Sequence, residues 1–587
     1  MATTDILAPA TGTVAKLRVA EGVAAGTGSA LVLVESMKME FAAHAPEDGT
    51  VQRWLVAEGE SVTEGQVLGS FTAGAAVAAS EAAPLERPRR AELAARRLAT
   101  LDEGREDAVA KRHASGRRTA RENLDDLVDA GSFVEYGQLA YAAQTRRREV
   151  AELIARTPAD GLVGGIATVN AEQFGDAASV CAVSYDYTVL AGTQGQRNHR
   201  KQDRLFELAE RLALPTVLFA EGGGGRPGDT DTDVVTGLDT MAFALFARLA
   251  ERVPTIGIGS GRCFAGNAAL LGTCDLVVAT KEASIGMGGP AMIEGGGLGV
   301  VAPDEVGPVA VHDAAGSVDL VVEDDAAAVA AVRKLLSYAQ GSVSPSAPPA
   351  GSDPDAVLPH DRRRAYEASA MLEAIFDDQS VVELRAGFGR ALSVALARLE
   401  GRPVLALASN PSHLAGAIDA DAAAKATWAF GLAGAWKLPV VSLIDTPGFM
   451  VGPDAEAEGL VRIAGGMFRA AARLEAPVVA VVTRRGYGLG AQALATGSFW
   501  APLATFAWPE AELGGMGLEG AVKLGFRREL EAITDEDARQ QAFEAMVAAA
   551  YDHGSAINVA SHLEVDDVIE PGETRSKVSA LLKAAGA

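Results

Sequence analysis

Leu214-Pro215-Thr216-Val217-Leu218-Phe219-Ala220-Glu221-Gly222-Gly223-Gly224-Gly225-Arg226 reads as a short buried strand running straight into a glycine turn. Consecutive glycines suit a backbone that must pass close to something else, because a side chain there would block the approach. The pattern returns at Leu438-Pro439-Val440-Val441-Ser442-Leu443-Ile444-Asp445-Thr446-Pro447-Gly448-Phe449, 224 residues later at the prolines. Further out, Val253-Pro254-Thr255-Ile256 is answered by Ala476-Pro477-Val478-Val479. Each leads into a glycine-rich helix start, GRCFAGN at 261–267 and GYGLGAQ at 486–492. VDLVVE at 318–323 and VDDVIE at 565–570 close the two copies, each before a charged helix. Strands alternating with amphipathic helices, twice over, predict two homologous α/β domains at 93–345 and 355–587. The proline- and serine-rich stretch 341–357 is the expected boundary between them.

The front of the chain has another rhythm. Residues 1–74 carry short alternating apolar runs broken by glycine turns, which predicts a small all-β unit. It too echoes itself: Ala8-Pro9-Ala10-Thr11-Gly12-Thr13-Val14 returns 37 residues later as Ala45-Pro46-Glu47-Asp48-Gly49-Thr50-Val51. Two such halves packed face to face make a flattened barrel, and Glu35-Ser36-Met37-Lys38-Met39-Glu40 falls at a hairpin tip between them. Residues 75–92, alanine-rich with two prolines, read as a flexible linker. The arginine-rich stretch from 89 to 130 reads as surface helices; alternatively Lys111, Arg112, Arg117, Arg118 or Arg121 holds a phosphate-bearing ligand.

Composition narrows the classes. The net charge of −25 argues against nucleic acid or an anionic membrane surface as partner. Cys181, Cys263 and Cys274 lack metal-site spacing and sit in apolar stretches, as buried reduced thiols do. Neither a secretory leader nor a membrane span is legible, so a cytoplasmic protein is expected, and no metal cluster.

Met-Lys-Met at the centre of the front repeat resembles the biotin-acceptor site of biotin carboxyl carrier domains, with Ser36 where that family more often has alanine. Lipoyl domains share the biotinyl/lipoyl-like fold, but their lysine is usually not flanked by two methionines. The resemblance implies covalent biotin on Lys38, attached by a biotin protein ligase. From about residue 90 onward the chain resembles the carboxyltransferase of acyl-CoA carboxylases, built from two crotonase-like domains. The resemblance rests on Ser184-Tyr185-Asp186-Tyr187-Thr188-Val189, the glycine turn at 222–226, Ile444–Phe449, Trp508-Pro509 and Asp567-Val568-Ile569-Glu570-Pro571, in that order. It implies transfer of a carboxyl group from carboxybiotin on Lys38 to the α-carbon of an acyl-CoA.

Such a reaction develops negative charge on the thioester oxygen and on the ureido oxygen of biotin, and fixed backbone N–H groups stabilise both. By motif matching, one set of donors falls at Ala265-Gly266 and the other at Leu489-Gly490; the alternative is that both turns are helix caps. In the family the first domain mainly holds acyl-CoA and the second biotin, across a subunit interface. Gly223 and Gly224 line the substrate turn by the same matching, and Lys201 and Arg226 stand where coenzyme A phosphates or surface salt bridges would engage them. Gln492 occupies a position that bears on acyl selectivity and departs from the aspartate of propionyl-type enzymes. The stretch from Gly486 to Phe526 looks more like single-chain, long-chain acyl-CoA carboxylases. Phe264-Ala265-Gly266-Asn267 departs from the commoner Ala-Gly-Gly-Ala.

No ATP-grasp module or nucleotide loop is legible, so a separate biotin carboxylase using ATP, magnesium and bicarbonate is the expected partner, around a homo-hexameric core. Two alternatives stay open: a biotin-dependent decarboxylase or transcarboxylase, and a biotinylated acyl-CoA-binding scaffold without turnover.

Overall fold

Each half of the front repeat is closed by hydrogen bonds from the other half. In a computed structural model, which describes residues 3–74, 88–226, 228–231, 233 and 235–586, Gly22 N–H donates to Val51 O and Gly59 N–H to Val14 O, both at 2.8 Å. Gly28 N–H donates to Ala45 O and Gly65 N–H to Ala8 O at 2.8 and 2.9 Å, again 37 residues apart. Even the side chains trade places: Glu21 Oε1 accepts from Trp54 N–H at 2.7 Å, and Glu58 Oε1 from Leu17 N–H at 2.9 Å. The turn glycines of each half are satisfied by carbonyls of the other, so the two fold together. They form two four-stranded sheets over Val14, Leu31, Val32, Val34, Val51, Leu68 and Phe71, all at most 1% exposed. This unit is the expected biotinyl/lipoyl-like barrel.

The backbone divides into two compact units, residues 1–92 and 93–587. The linker expected over 75–92 lies at 75–87 outside the described residues, and 88–92 already belong to the helix Pro88–Leu98. Helices Glu106–Ala114 and Ala120–Leu127 follow, the latter opened by a capping box between Thr119 and Glu122.

In the larger unit the duplication is visible strand for strand. The first sheet runs Val134–Glu135, Leu162–Thr168, Ser179–Tyr185, Thr216–Phe219, Thr255–Gly259, Leu276–Thr280, Leu320–Val322. The second runs Val382–Leu384, Leu392–Leu399, Arg402–Ser409, Val440–Thr446, Val478–Tyr487, Ala504–Ala507, Asp567–Val568 in the same order. In both, the first three strands are antiparallel and the rest parallel, each a crotonase-like layer. Register shows where the copies slip. Thr216 pairs Thr255, and Val440 pairs Val478, so the offset falls from 224 to 223 between neighbouring strands.

One hydrophobic core runs through both sheets, taking Val217 and Ile256 from one and Val394 and Leu396 from the other, all fully buried. Polar ties reinforce it: Trp436 Nε1 donates to Asp275 at 3.1 Å, Arg385 pairs with Asp319 at 2.6 Å, and Arg398 donates to the Gly341 carbonyl at 2.9 Å. The proline-rich stretch 341–357 is strapped to the second copy, with Val343 N–H on Gly401 O and Asp378 N–H on Ala347 O at 2.9 Å. Among the described residues no helix is long and apolar enough to cross a membrane, and no three potential ligands cluster as a metal site.

Candidate functional site

Strands Ala30–Ser36 and Met39–His44 pair down to Ser36 and Met39, leaving Met37 and Lys38 as a two-residue turn with φ of 50° and 67°. Both central residues are left-handed, the hairpin geometry that matches strand twist but usually asks for Asn or Gly. Here two long side chains accept that cost, and both project: Met37 is 95% exposed and Lys38 exposed. The Lys38 amine makes no hydrogen bond or ion pair among the described residues, so nothing holds it back from acylation. These residues fit a biotin joined to Lys38 Nζ by an amide.

In each copy of the larger unit a glycine turn is clamped against the start of a helix. Gln194 N–H donates to Gly224 O at 2.9 Å and its carbonyl accepts from Arg226 N–H at 2.7 Å. Ile418 repeats this, donating to Gly448 O at 3.0 Å and accepting from Met450 N–H at 2.8 Å. Against these turns lie the helices Gly266–Thr273 and Gly488–Leu494. A β-carbon on Gly224 would come within 2.7 Å of the Ala265 Cβ and 3.2 Å of the Gly266 nitrogen. One on Gly490 would come within 2.7 Å of the Gly448 carbonyl carbon and 2.9 Å of the Phe449 nitrogen. Glycine is therefore required at both contacts.

Donors are left over in each cradle. Among the described residues the N–H groups of Gly224, Gly225 and Gly266 meet no acceptor, nor do those of Phe449 and Leu489. Helix starts always have such orphan donors; these add a turn whose donors are free as well, which makes a pocket for a developing oxyanion. No hydrogen bond, ion pair or ring contact among the described residues joins the two cradles within the chain.

Several sequence expectations need correction. Pairing of Phe264 with Gly286 and of Tyr487 with Gly514 makes Ala265 the counterpart of Gly488 and Gly266 that of Leu489. Ala265 N–H is committed to Gly286 O at 3.0 Å; its role is the turn, through φ 53° where the second copy has Gly488 at 59°. Gly490 matches Asn267, whose amide donates to the Gly192 and Glu221 carbonyls at 3.1 and 2.8 Å. Gly223 N–H is likewise committed, to Ala191 O at 3.2 Å, while Leu489 and Gln492 are exposed.

Lys201 and Arg226 do not reach out to phosphates. The Lys201 ammonium is buried, donating to the Leu162 carbonyl with Glu135 at 3.9 Å. Its counterpart 224 residues on, Lys425, donates to the Arg385 and Phe388 carbonyls at 2.9 and 3.0 Å. Lys201 pins the start of strand Leu162–Thr168 to its helix and Lys425 the loop after Val382–Leu384, and burial brings both ammonium groups down to about 8. Arg226 is paired with Asp160 at 2.5 Å and donates to Thr193 O at 2.9 Å, inside the turn it follows. Of the upstream cations, Arg112 is buried on Glu221, Arg117 bonds Ser260, Arg118 pairs with Asp126 and Arg121 with Glu135. Lys111 alone of these stays exposed, lining a cleft of about 1070 Å³ with Arg105, Tyr187 and Leu190.

Sequence reasoning missed what braces the cradles. Each glycine turn begins with a buried acid, Glu221 and Asp445. Glu221 takes both Arg112 amino groups at 2.9 and 2.6 Å; Asp445 takes Arg484 and Arg485 at 2.8 and 2.7 Å. Burial pushes the Glu221 carboxyl up, against the pull of Arg112. The equal spacing of the two acids from their prolines was a visible signal; their partners were not.

Comparison with known proteins identifies two families along the chain. A family described as carboxyl transferase domain matches residues 111–586, and one described as biotin-requiring enzyme matches residues 4–71. The methylmalonyl-CoA carboxyltransferase 12S subunit of Propionibacterium freudenreichii subsp. shermanii is 32% identical over 82% of this chain and 91% of its own. The biotin-dependent long chain acyl-coenzyme A carboxylase beta4 subunit of Mycobacterium tuberculosis is also 32% identical, over 83% and 92%. A solved single-chain, multi-domain long-chain acyl-CoA carboxylase superposes with a TM-score of 0.81 at 51% identity over 99% of this chain. This chain spans 56% of that longer one. The hexameric transcarboxylase 12S, solved with methylmalonyl-coenzyme A bound, superposes with a TM-score of 0.75 at 29% identity, over 87% and 97%. With its biotin domain in front, the chain belongs to the carboxyl transferase family and is a biotin-dependent acyl-CoA carboxyltransferase.

Proposed function

We propose that this chain is the carrier and carboxyltransferase part of an acyl-CoA carboxylase, with one cradle for each reacting oxygen. Biotin on Lys38 supplies the carboxyl group. In the first cradle the Gly224, Gly225 and Gly266 N–H groups receive the acyl thioester oxygen and favour its enolate form; in the second, Phe449 and Leu489 receive the ureido oxygen. Ala265, Gly223 and Gly490 shape these turns, and Lys201 and Arg226 hold the frame around the first. The observation that carries the reading is the repetition of free donors facing a glycine turn at matched positions.

Among the described residues no bond joins the two cradles within the chain, and apolar side chains stand exposed beside each: Met287 and Met292 follow the first, Val451 the second. This supports a centre completed between subunits, within a homo-hexameric core, with crotonase-like domains at 93–345 and 355–587. Loading of biotin is assigned to a biotin carboxylase using ATP, magnesium and bicarbonate, and attachment to a biotin protein ligase. The thiols Cys181, Cys263 and Cys274 are unpaired, which suits the cytoplasm, and the similarity to a long chain acyl-coenzyme A carboxylase subunit supports a role in fatty acid metabolism.

The test is a panel of acyl-CoAs of increasing length with the biotinylated chain, a biotin carboxylase, ATP and bicarbonate. Gln492 in place of aspartate, with the long-chain resemblance, leads to rates that rise beyond propionyl-CoA. A maximum at propionyl-CoA contradicts the chain-length assignment, and ATP-dependent product without added biotin carboxylase contradicts the division of labour. The similarity to a methylmalonyl-CoA carboxyltransferase favours a second reading, transfer between two acyl-CoAs. Exchange of carboxyl between acyl-CoAs without ATP, faster than net carboxylation, selects it.

A further inference from the structure

The two copies of the larger unit diverge just after their cradles. In the first, Phe264 pairs with Gly286 and the helix Pro290–Gly295 follows; in the second, Tyr487 pairs with Gly514 and the helix Leu518–Gly525 follows at the same distance. The copies meet again at matched bridges, Ser284 with Pro308 and Glu512 with Ser555, each ahead of a short helix. What lies between them differs. The second copy inserts Glu536–His553, an 18-residue helix that covers the one before it. Tyr551 donates to Glu519 at 2.7 Å, Lys523 lies 5.4 Å over the Phe543 ring, and Leu518 and Val522 are buried. Among the described residues the first copy has no such helix, and no residue of Pro290–Gly295 is buried.

The uncovered segment is nonetheless apolar. Residues 287–301 carry six glycines and a single charge, Glu294, while Met287, Met292, Leu298 and Val300 are 65–84% exposed. A contiguous apolar surface of this kind marks a binding face. Among the described residues its hydrogen bonds stay within the segment, as from Met292 N–H to Gly289 O and Leu298 N–H to Ile293 O, both at 3.0 Å. Its base is fastened, by Ile285 N–H on Gly307 O and Ser284 Oγ on Pro303 O, both at 2.8 Å. The result is a flap, fixed at both ends and free along its body.

The flap is continuous with the first cradle. Gly286, at its root, takes the Ala265 N–H at 3.0 Å, and a β-carbon on Gly289 would lie 3.3 Å from the ring of Phe264, which precedes Ala265-Gly266. The first cradle thus opens beside an apolar surface that its twin covers with a helix. The missing helix leaves room for a ligand that is apolar, variable in length and tethered at the cradle. Methionine and glycine suit such a ligand, because one repacks around irregular shapes and the other lets the backbone follow.

We propose that residues 287–301 form the floor of an acyl-tail subsite, with Met292, Leu298 and Val300 meeting the methylene groups beyond the α-carbon. The proposal rests on the reading that the first cradle receives the thioester, and the tail lies in the seam where a second subunit completes the centre. Contact there takes apolar surface of both tail and flap out of water.

The experiment measures kcat/KM for palmitoyl-CoA and for propionyl-CoA with the full-length biotinylated chain, a biotin carboxylase, ATP and bicarbonate. The combined variant Met292→Ser, Leu298→Ser, Val300→Ser lowers the palmitoyl-to-propionyl ratio about tenfold or more. The apolar swap Met292→Leu, Leu298→Met, Val300→Ile keeps the wild-type ratio. Light scattering gives one assembly mass for all three proteins. An unchanged ratio in the serine variant overturns the proposal, as does an equal loss for both substrates. A smaller assembly also overturns it, by giving the flap to a partner subunit. Wild-type turnover of propionyl-CoA with none of palmitoyl-CoA overturns the tail subsite and leaves the cradles standing; turnover of neither overturns the reading of the cradles and the subsite with it.

Discussion

The first cradle is held by side chains that come from far away, the second by arginines of the adjacent strand and by direct backbone contact. Glu221 at the first turn is answered by Arg112, 109 residues earlier, and Asn267 ties the helix start to two carbonyls. At the second, Asp445 is answered by Arg484 and Arg485 on the adjacent strand, and Gly490 lays its backbone against Gly448 with nothing between. A cradle pinned through side chains can give by a few tenths of an ångström; one closed by backbone contact cannot. Under the proposed assignment the acyl-CoA side is thus the adaptable one, and the biotin side, which meets the same group at each turnover, is the rigid one.

Substitution of the glycines sharpens that contrast most. Gly490→Ala forces backbone apart and is expected to lower kcat by about 10²–10³-fold, the scale of losing an oxyanion donor. In Gly266→Ala the new carbon meets the Gln194 Oε1 at 2.4 Å, the end of a side chain that can move, and a loss of about tenfold is expected. Equal losses in steady-state assays would break the comparison.

Next come the braces. Glu221→Ala and Asp445→Ala each strand buried guanidinium charge and should cost about 3–5 kcal/mol in denaturant unfolding. Arg112→Met, added to the first, should recover part of that loss, because one cation answers that acid; Arg484→Met alone should recover less of the second, because two do. Recovery of the same size in both would say that the braces are equivalent.

The smallest effect concerns what the copies share. Lys201 and Lys425 hold ammonium groups near 8, below the ordinary 10.5, so the unfolded chain binds more protons between those values. Their burial cost is constant below pH 8 and is relieved as pH rises toward 10.5, so this part of the stability increases with pH across that window. Lys201→Met and Lys425→Met should each flatten the rise in unfolding midpoint between pH 8 and 10. A slope equal to wild type in either variant contradicts the shared role.

Both duplications were legible because each repeats at the spacing its folding needs. The 37-residue echo places Gly22 and Gly59 on each other's strands, and the 224-residue echo places Gly224 and Gly448 in matched turns. Lys38 was legible because nothing but a turn fits between two halves of one repeat. The slip at the second cradle was not. A one-residue difference arises between the strands, and only their register makes Leu489, rather than Gly490, the partner of Gly266. Lys201 and Arg226 read as surface cations because charge says nothing about burial; their acceptors, Leu162 O and Asp160, come from another strand and turn. The common spacing of Lys201 and Lys425 inside helices Gln196–Leu212 and Ala420–Trp436 was the overlooked hint of a structural role.

The central claim, that one cradle of each kind from different subunits makes a single transfer centre, is tested most directly by mixing two dead chains. Gly266→Val and Gly490→Val are each expected to be inactive alone. Co-assembled at random they regain about a quarter of wild-type carboxyl transfer, since half of the pairs are mixed and each mixed pair keeps one intact centre. Mixed assemblies no more active than either parent would contradict the account.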